Sequence, residues 1–156
     1  MSRTPPIANR AMLDSIDQAA AQRAVAAALE YAGAHGWRIS VAVLDGGGHL
    51  LAFGRVAGSA LHTIEIAQDK AFTAVSFDMP TDELASRLRD APEHVRTSLL
   101  LRPRLVPMGG ALPFYTGSQL LGAIGVSGAS EEQDCECAAA GRVHACRQAE
   151  LDHTVL

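Results

Sequence analysis

Aromatic side chains are scarce in this sequence, at 4% of its 156 residues, and basic side chains are outnumbered by acidic ones. The formal charge of -4 argues against a nucleic-acid surface, because phosphate binding needs clustered lysines and arginines. No apolar run approaches the roughly 18 residues needed to cross a bilayer. The three cysteines are an odd set, which does not make a disulfide framework. Membrane-spanning, disulfide-stapled and nucleic-acid-binding classes are therefore disfavoured.

What remains is an apolar, single-domain composition. Apolar residues make up 48% of the chain, and this length can bury a substantial core. We expect residues 1–12, with Pro5 and Pro6, to be a flexible leader and residues 13–156 to form one domain. The first ten residues contain no apolar signal core, so we expect a cytoplasmic protein.

Hydrophobic periodicity predicts an α+β fold. Residues 38–45 alternate as a strand does, and Gly46 to Gly48 then form a turn into a second strand, so the two make a hairpin. Ser15 and Gln18 have capping-box spacing at the start of the first helix, as do Ser130 and Gln133 at the start of the last. A hairpin implies an antiparallel sheet covered by helices. Further helices are predicted over residues 59–77, 81–89 and 93–102, edge strands within 105–115, and a strand over 120–126.

A histidine and two acids give a candidate metal site. His62, Glu65 and Asp69 are spaced by three or four residues, so they lie on one side of a helix. A metal site needs at least three convergent ligands. The same spacing of polar residues is also typical of a helix face that is simply exposed to solvent. Cys135 and Cys137 point about 200° apart on a helix, so they cannot grip one tetrahedral ion.

Lys70 stands near the middle of an alanine-rich helix. If its ammonium is buried, it needs a carboxylate, and Asp45, Glu65 or Asp69 could supply one. A desolvated lysine beside carboxylates can also act as an acid or base. Ion pairing and catalysis remain equally open from the residues alone.

Four segments together resemble one known family. Residues 41–50 read VAVLDGGGHL, residues 66–74 read IAQDKAFTA, residues 109–113 read GGALP, and residues 122–128 read GAIGVSG with a trailing Gln133-Asp134. In this order they are similar to the GlcG/HbpS family, which is often described as haem-binding or haem-degrading, and to the C-terminal domain of PduO. The positions that match the motifs are Asp45, Lys70, Thr73, Gly109, Gly110, Pro113 and Gly128.

The resemblance implies a fold, an assembly and a cofactor. The fold is a five-stranded antiparallel sheet with helices on both faces, in a profilin-like topology. The assembly is a homo-oligomer, either a dimer, a tetramer or an octamer. The cofactor is haem, which the PduO-type domain ligates through a histidine on its first helix. In this sequence that helix has only His35, close to its end, so we expect His49, His62 or His94 to substitute as ligand.

Two functions follow as hypotheses. The first is binding of haem or a related tetrapyrrole, with a possible part in its breakdown. The second is a catabolic enzyme that performs proton transfer, hydration or elimination on a small carboxylate or enol, with Lys70 and Glu65 or Asp69 as acid and base. Both require the Lys70 helix and the Gly109-Gly110 loop to converge around one cavity. The predicted ligand-binding residues are Asp45, Arg55, Thr73, Gly109, Gly110, Pro113 and Tyr115.

Overall fold

The fold consists of helices packed on a single antiparallel sheet. The structure, a computed structural model, describes residues 15–152, with side-chain surroundings as far as residue 145. The α+β class is confirmed. The elements in chain order are α1 (Gln18–Ala34), β1 (Ser40–Asp45), β2 (Leu50–Arg55), α2 (Thr63–Phe77), α3 (Thr81–Asp90), α4 (Glu93–Leu100), β3 (Ala111–Thr116), β4 (Gln119–Ser127) and α5 (Glu131–Asp152).

The sheet has four strands in the order β2-β1-β4-β3, and every neighbouring pair is antiparallel. The prediction of a five-stranded, profilin-like sheet is therefore wrong for the residues that the structure describes. Between β2 and β3 the chain forms three helices, followed by a loop containing Pro103 and Pro107. A proline has no amide hydrogen to donate to a ladder, so this stretch leaves no extended run for a fifth strand.

Alternation along β1 builds a core on each face of the sheet. Val41 and Val43 pack in a cluster with the alanines of α1 and with Cys137 and Ala138 of α5. Ala42 and Leu44 point to the opposite face, where they pack with alanines of α2. Because neighbouring strand residues face opposite sides, one strand lies between α1 and α5 on one face and α2 on the other.

Small residues bring α2 very close to the sheet. A Cβ atom on Gly125 of β4 would lie 2.1 Å from the carbonyl oxygen of Ala67 and 2.7 Å from the amide nitrogen of Ala71. No side chain other than hydrogen fits at that position. This contact sets the distance between α2 and the sheet. That distance in turn determines which α2 side chains extend beyond the sheet.

Of the two capping boxes predicted from the sequence, one is present in the structure and the other is not. Ser130 and Gln133 form the expected capping box, with Ser130 N donating to Gln133 Oε1 and Gln133 N to Ser130 Oγ. At α1 the capping residue is Asp17, whose Oδ1 accepts from the amide of Ala20 at 2.7 Å. The Ser15–Gln18 box is therefore wrong, because an aspartate two residues later performs the same task.

Some sequence predictions concern residues that the structure does not describe, and others concern where the protein is located in the cell. The predicted leader, residues 1–12, and the side chain of Cys146 lie outside it. Among the helices within residues 15–152, none combines the length and apolar character that a membrane crossing demands. The cytoplasmic location stays a prediction.

Candidate functional site

Helix α2 carries the three predicted catalytic residues and divides them between two faces. Lys70 points inward and is 1% exposed. Its Nζ donates to Asp134 Oδ2 at 2.9 Å and to the carbonyl oxygen of Val126 at 3.0 Å. Glu65 and Asp69 lie on a different side of the same helix, where they are reached from solvent.

The carboxylate partner of Lys70 is Asp134, which corrects the predicted pairing with Asp45, Glu65 or Asp69. Asp134 Oδ1 also accepts from the amide of Ala129 at 3.0 Å. Burial raises the pKa of Asp134, while the Lys70 ammonium and the backbone amides lower it. The pair joins α2, the end of β4 and the start of α5, so its geometry serves the fold.

The Gly109-Gly110 loop does meet Lys70, but no cavity lies between them. A Cβ on Gly110 would lie 2.8 Å from Lys70 Nζ and 2.7 Å from Val126 O. The amide of Gly109 donates to Glu131 Oε1 at 2.7 Å, so it is not available to a ligand. The expected convergence is therefore present, yet the space is filled by the loop itself.

A pocket with a volume of about 520 Å³ opens instead on the other side of α2, and we call it the α2 pocket. Two predicted catalytic acids, Glu65 and Asp69, border it. The β1–β2 turn forms the facing wall. Its lining residues are Leu44, Gly48, Leu50, Glu65, Gln68, Asp69 and Arg104.

Arg104 forms one wall of the α2 pocket and is held from several directions. Its Nε donates to Asp69 Oδ1 at 2.9 Å, and its guanidinium carbon lies 3.9 Å from the centre of the Phe72 ring. Thr73 Oγ1 lies 3.1 Å from the Arg104 carbonyl oxygen and accepts from the amide of Val106. Thr73, a predicted ligand-binding residue, is buried and acts on the pocket only through this loop.

The β1–β2 turn is organised by Asp45. Its Oδ1 accepts from the amides of Gly47 and His49, both at 2.9 Å. The same oxygen lies 3.3 Å from His49 Nδ1, while the His49 side chain is 82% exposed. Gly48 and Leu50, which flank His49 in the chain, line the α2 pocket, whereas the exposed His49 ring is not one of the lining residues.

Three other predicted ligand residues lie at the ends or edge of the sheet. Arg55, at the end of β2, donates to the carbonyl of Ser59, and Pro113 is buried in the edge strand β3. Tyr115 donates to Asp78 Oδ1 at 2.8 Å, and burial together with this bond raises its pKa to about 12. The structure does not bring these residues into the α2 pocket.

The predicted metal site at His62 finds no support in the described residues. His62 precedes α2 and is exposed. No group of three His, Cys, Asp or Glu side chains able to hold a metal ion exists within the described part of the chain. Glu65 and Asp69 belong to the α2 pocket instead.

His35, the histidine of the first helix, lies in an aromatic cluster at the end of α1. Its ring is stacked on Trp37 with centroids 4.5 Å apart and tilted against Tyr31 at the same distance. Its Nδ1 lies 2.8 Å from the carbonyl oxygen of Tyr31. His35 is exposed, Tyr31 and Trp37 are partly buried against the core, and none of the three lines the α2 pocket.

Sequence reasoning missed Arg104, Gln68 and Asp134. Arg104 is 35 residues from Asp69, and no local spacing connects them. Gln68 follows the stripe of Glu65 and Asp69 at helical spacing, so it was within reach of the same argument. Asp134 belongs to the fourth matching segment, but no local spacing connects it with Lys70, which is 64 residues away.

The fold and the α2 pocket together define a class: a helix-covered antiparallel sheet domain with a pocket in the size range of small-molecule sites, about 300–1,000 Å³. The family model described as "Haem degrading protein HbpS-like" matches residues 16–142. The chain belongs to this family, and the predicted resemblance to the GlcG/HbpS group is confirmed.

Similar proteins include both sequences and solved structures. Protein GlcG of Escherichia coli K12 is 34% identical over 112 residues, which cover 72% of this chain and 81% of GlcG. The crystal structure of a Streptomyces reticuli HbpS double mutant has a TM-score of 0.78 at 33% identity, covering 91% of this chain and 97% of that one. The crystal structure of a PduOC:heme complex has a TM-score of 0.76 at 27% identity, covering 83% and 94%.

Proposed function

We propose that the chain is a haem-binding domain whose ligand occupies the α2 pocket. The volume of about 520 Å³ suits one such group. Leu44 and Leu50 offer apolar contact from the β1–β2 side, and His49 lies in the chain between two lining residues, Gly48 and Leu50. Family membership and the haem complex of a similar structure support the same ligand.

The observation that carries this proposal is the Asp45–His49 contact. A histidine that ligates a metal usually directs its other ring nitrogen to a carboxylate or carbonyl, which fixes the tautomer and the ring. Here Nδ1 faces Asp45 Oδ1 at 3.3 Å. With the proton on Nδ1, the lone pair lies on Nε2, which has no hydrogen-bond partner among the described residues. His49 would hold the iron of a bound haem through this nitrogen.

The chain's own residues then have separate tasks. Asp45 holds the turn through two backbone amides and orients His49. Leu44 and Leu50 give the pocket an apolar surface on the β1–β2 side. A bound haem would supply an iron centre whose reactivity depends on the residue that ligates it and on the polarity around it.

Acid–base catalysis in the same pocket would depend on Glu65 and Asp69 alone. Lys70 is buried on the far side of α2 and engaged by Asp134, so it does not reach a ligand in the pocket. Asp69 is already paired with Arg104. The geometry therefore favours binding over proton transfer by the three residues first considered.

Hemin titration followed by absorbance tests the proposal. The wild type is expected to give a saturable Soret shift at one haem per chain, and His49→Ala is expected to lose the spectrum of the ligated form. His94→Ala and His35→Ala are matched controls, because both histidines are exposed and, unlike His49, neither is next in the chain to a residue that lines the pocket. An unsaturable titration, or a His49→Ala spectrum identical to that of the wild type, would contradict the proposal.

Two more specific proposals, haem breakdown and self-association, are supported by family membership alone. A part in haem breakdown is supported by the description of the family model, and it predicts that bound haem loses Soret absorbance faster than free hemin when reductant and oxygen are added. Self-association as a dimer, tetramer or octamer stays a prediction, which light scattering of the purified protein tests.

A further inference from the structure

Arg104 is held in place more firmly than a surface arginine usually is. Its backbone has φ +66°, a left-handed conformation that is unfavourable for residues other than glycine. Thr73 ties its carbonyl to α2, and the Phe72 ring lies under its guanidinium. An unfavourable backbone that surrounding contacts maintain is typical of ligand sites.

The guanidinium nevertheless keeps its outer edge available. Asp69 takes the Nε hydrogen, and neither Nη atom donates to any residue in the described range 15–145. The side chain is 42% exposed and lines the α2 pocket. Two parallel N–H groups on a fixed planar fork match the two oxygens of a carboxylate.

Charge restricts where an acidic ligand can place that carboxylate. Glu65 and Asp69 repel it from the α2 side, and Arg104 is the one cationic side chain among the lining residues of the described structure. Leu44, Gly48 and Leu50 offer no charge. The Nη edge of Arg104 is therefore the one charged position among these lining residues that attracts a carboxylate.

We infer that Arg104 makes the α2 pocket selective for macrocycles that carry a free carboxylate, holding one such group on its Nη edge. The inference rests on the proposed haem function and adds a ligand requirement to it. A tetrapyrrole with esterified side chains lacks the charge that this fork recognises, so it should bind more weakly.

The test compares hemin with hemin dimethyl ester, titrated in one buffer and cosolvent and followed by quenching of intrinsic Trp fluorescence and by absorbance. The wild type is expected to bind hemin about tenfold more tightly than the ester, the effect of one charge-assisted contact at a partly exposed site. Arg104→Gln is expected to bind the two porphyrins equally. Arg102→Gln, an exposed arginine two residues away, is the matched control and should keep the preference.

The outcomes separate the two proposals. Equal binding of both porphyrins by the wild type, or an unchanged preference in Arg104→Gln, overturns this inference and leaves haem binding intact. Failure of both porphyrins to bind overturns haem binding and the inference with it. Circular dichroism and a thermal melt check that Arg104→Gln folds. If that variant is unstable, Arg104→Lys replaces it. Lysine keeps the charge without the planar fork, so this variant should retain part of the preference for hemin.

Discussion

Replacing Lys70 by methionine should destabilise the fold strongly while leaving the α2 pocket intact. Methionine has a similar length, but it leaves the buried Asp134 carboxylate without its cation and the Val126 carbonyl without a donor. Breaking a buried ion pair by removing one partner costs about 3–5 kcal/mol. Since domains are stable by about 5–15 kcal/mol, this is a large share of the total, and urea unfolding should show it as a lower midpoint.

The loss should also depend on pH. Burial already raises the pKa of Asp134, and Lys70 counteracts this, so removal of Lys70 raises the pKa in the folded state further. A carboxyl whose folded pKa is raised stabilises the fold while it is protonated, and that contribution disappears as the pH rises through the folded pKa. The wild-type pKa of Asp134 is itself raised above that of an exposed aspartate, which is about 4. The difference between wild type and Lys70→Met should therefore grow as the pH rises from the wild-type pKa through the still higher pKa of the variant.

Two comparisons make this result specific. Arg87→Met removes one partner of the exposed Arg87–Glu83 pair and should cost at most about 1 kcal/mol. The double variant Lys70→Met with Asp134→Leu should recover part of the loss, because no unpaired charge remains buried. A cost for Lys70→Met no larger than that for Arg87→Met, or one that is flat with pH, would refute the reasoning.

Two further changes test the packing around this pair. Gly110→Ala should lower the urea midpoint by several times as much as Gly117→Ala. A Cβ at Gly110 meets Val126 O at 2.7 Å, whereas at Gly117 nothing lies within 4 Å and only the positive φ is unfavourable. Similar losses in the two variants would contradict this prediction. Burial raises the pKa of Cys135 to about 11 and that of Cys137 to about 12, so both should be alkylated by iodoacetamide at pH 8 much more slowly in the folded chain than in urea, as peptide mass spectrometry resolves. Equal rates in the two states would show that these thiols are not protected.

Local patterns predicted the helices and the central hairpin because their causes are local. Alternation in residues 38–45 and glycines at 46–48 gave β1, the turn and β2, and the Ser130–Gln133 box marks the start of α5 as expected. The strand number came from the resemblance, and two short helices with a proline-containing loop occupy the stretch that a fifth strand would need.

The site was predicted less completely because its contacts are distant in sequence. Glu65 and Asp69 were found from helical spacing, and both border the α2 pocket. The partner of Lys70 is 64 residues away, and the partner of Asp69 is 35 residues away in an irregular loop. Pairing over such separations depends on how α2 seats on β4, which no local pattern contains.

Helix α2 keeps the residues that maintain the fold on one face and the residues that line the pocket on another. This separation has a consequence for how the sequence of the domain can change. Lys70, Ala67 and Ala71 face the sheet and maintain the architecture, while Glu65, Gln68 and Asp69 face the pocket. Substitutions on the second set alter what the molecule recognises at little expense to its scaffold. Such a helix lets descendants of one ancestor acquire different ligands, and it offers protein engineers a place to retune specificity without redesigning the core.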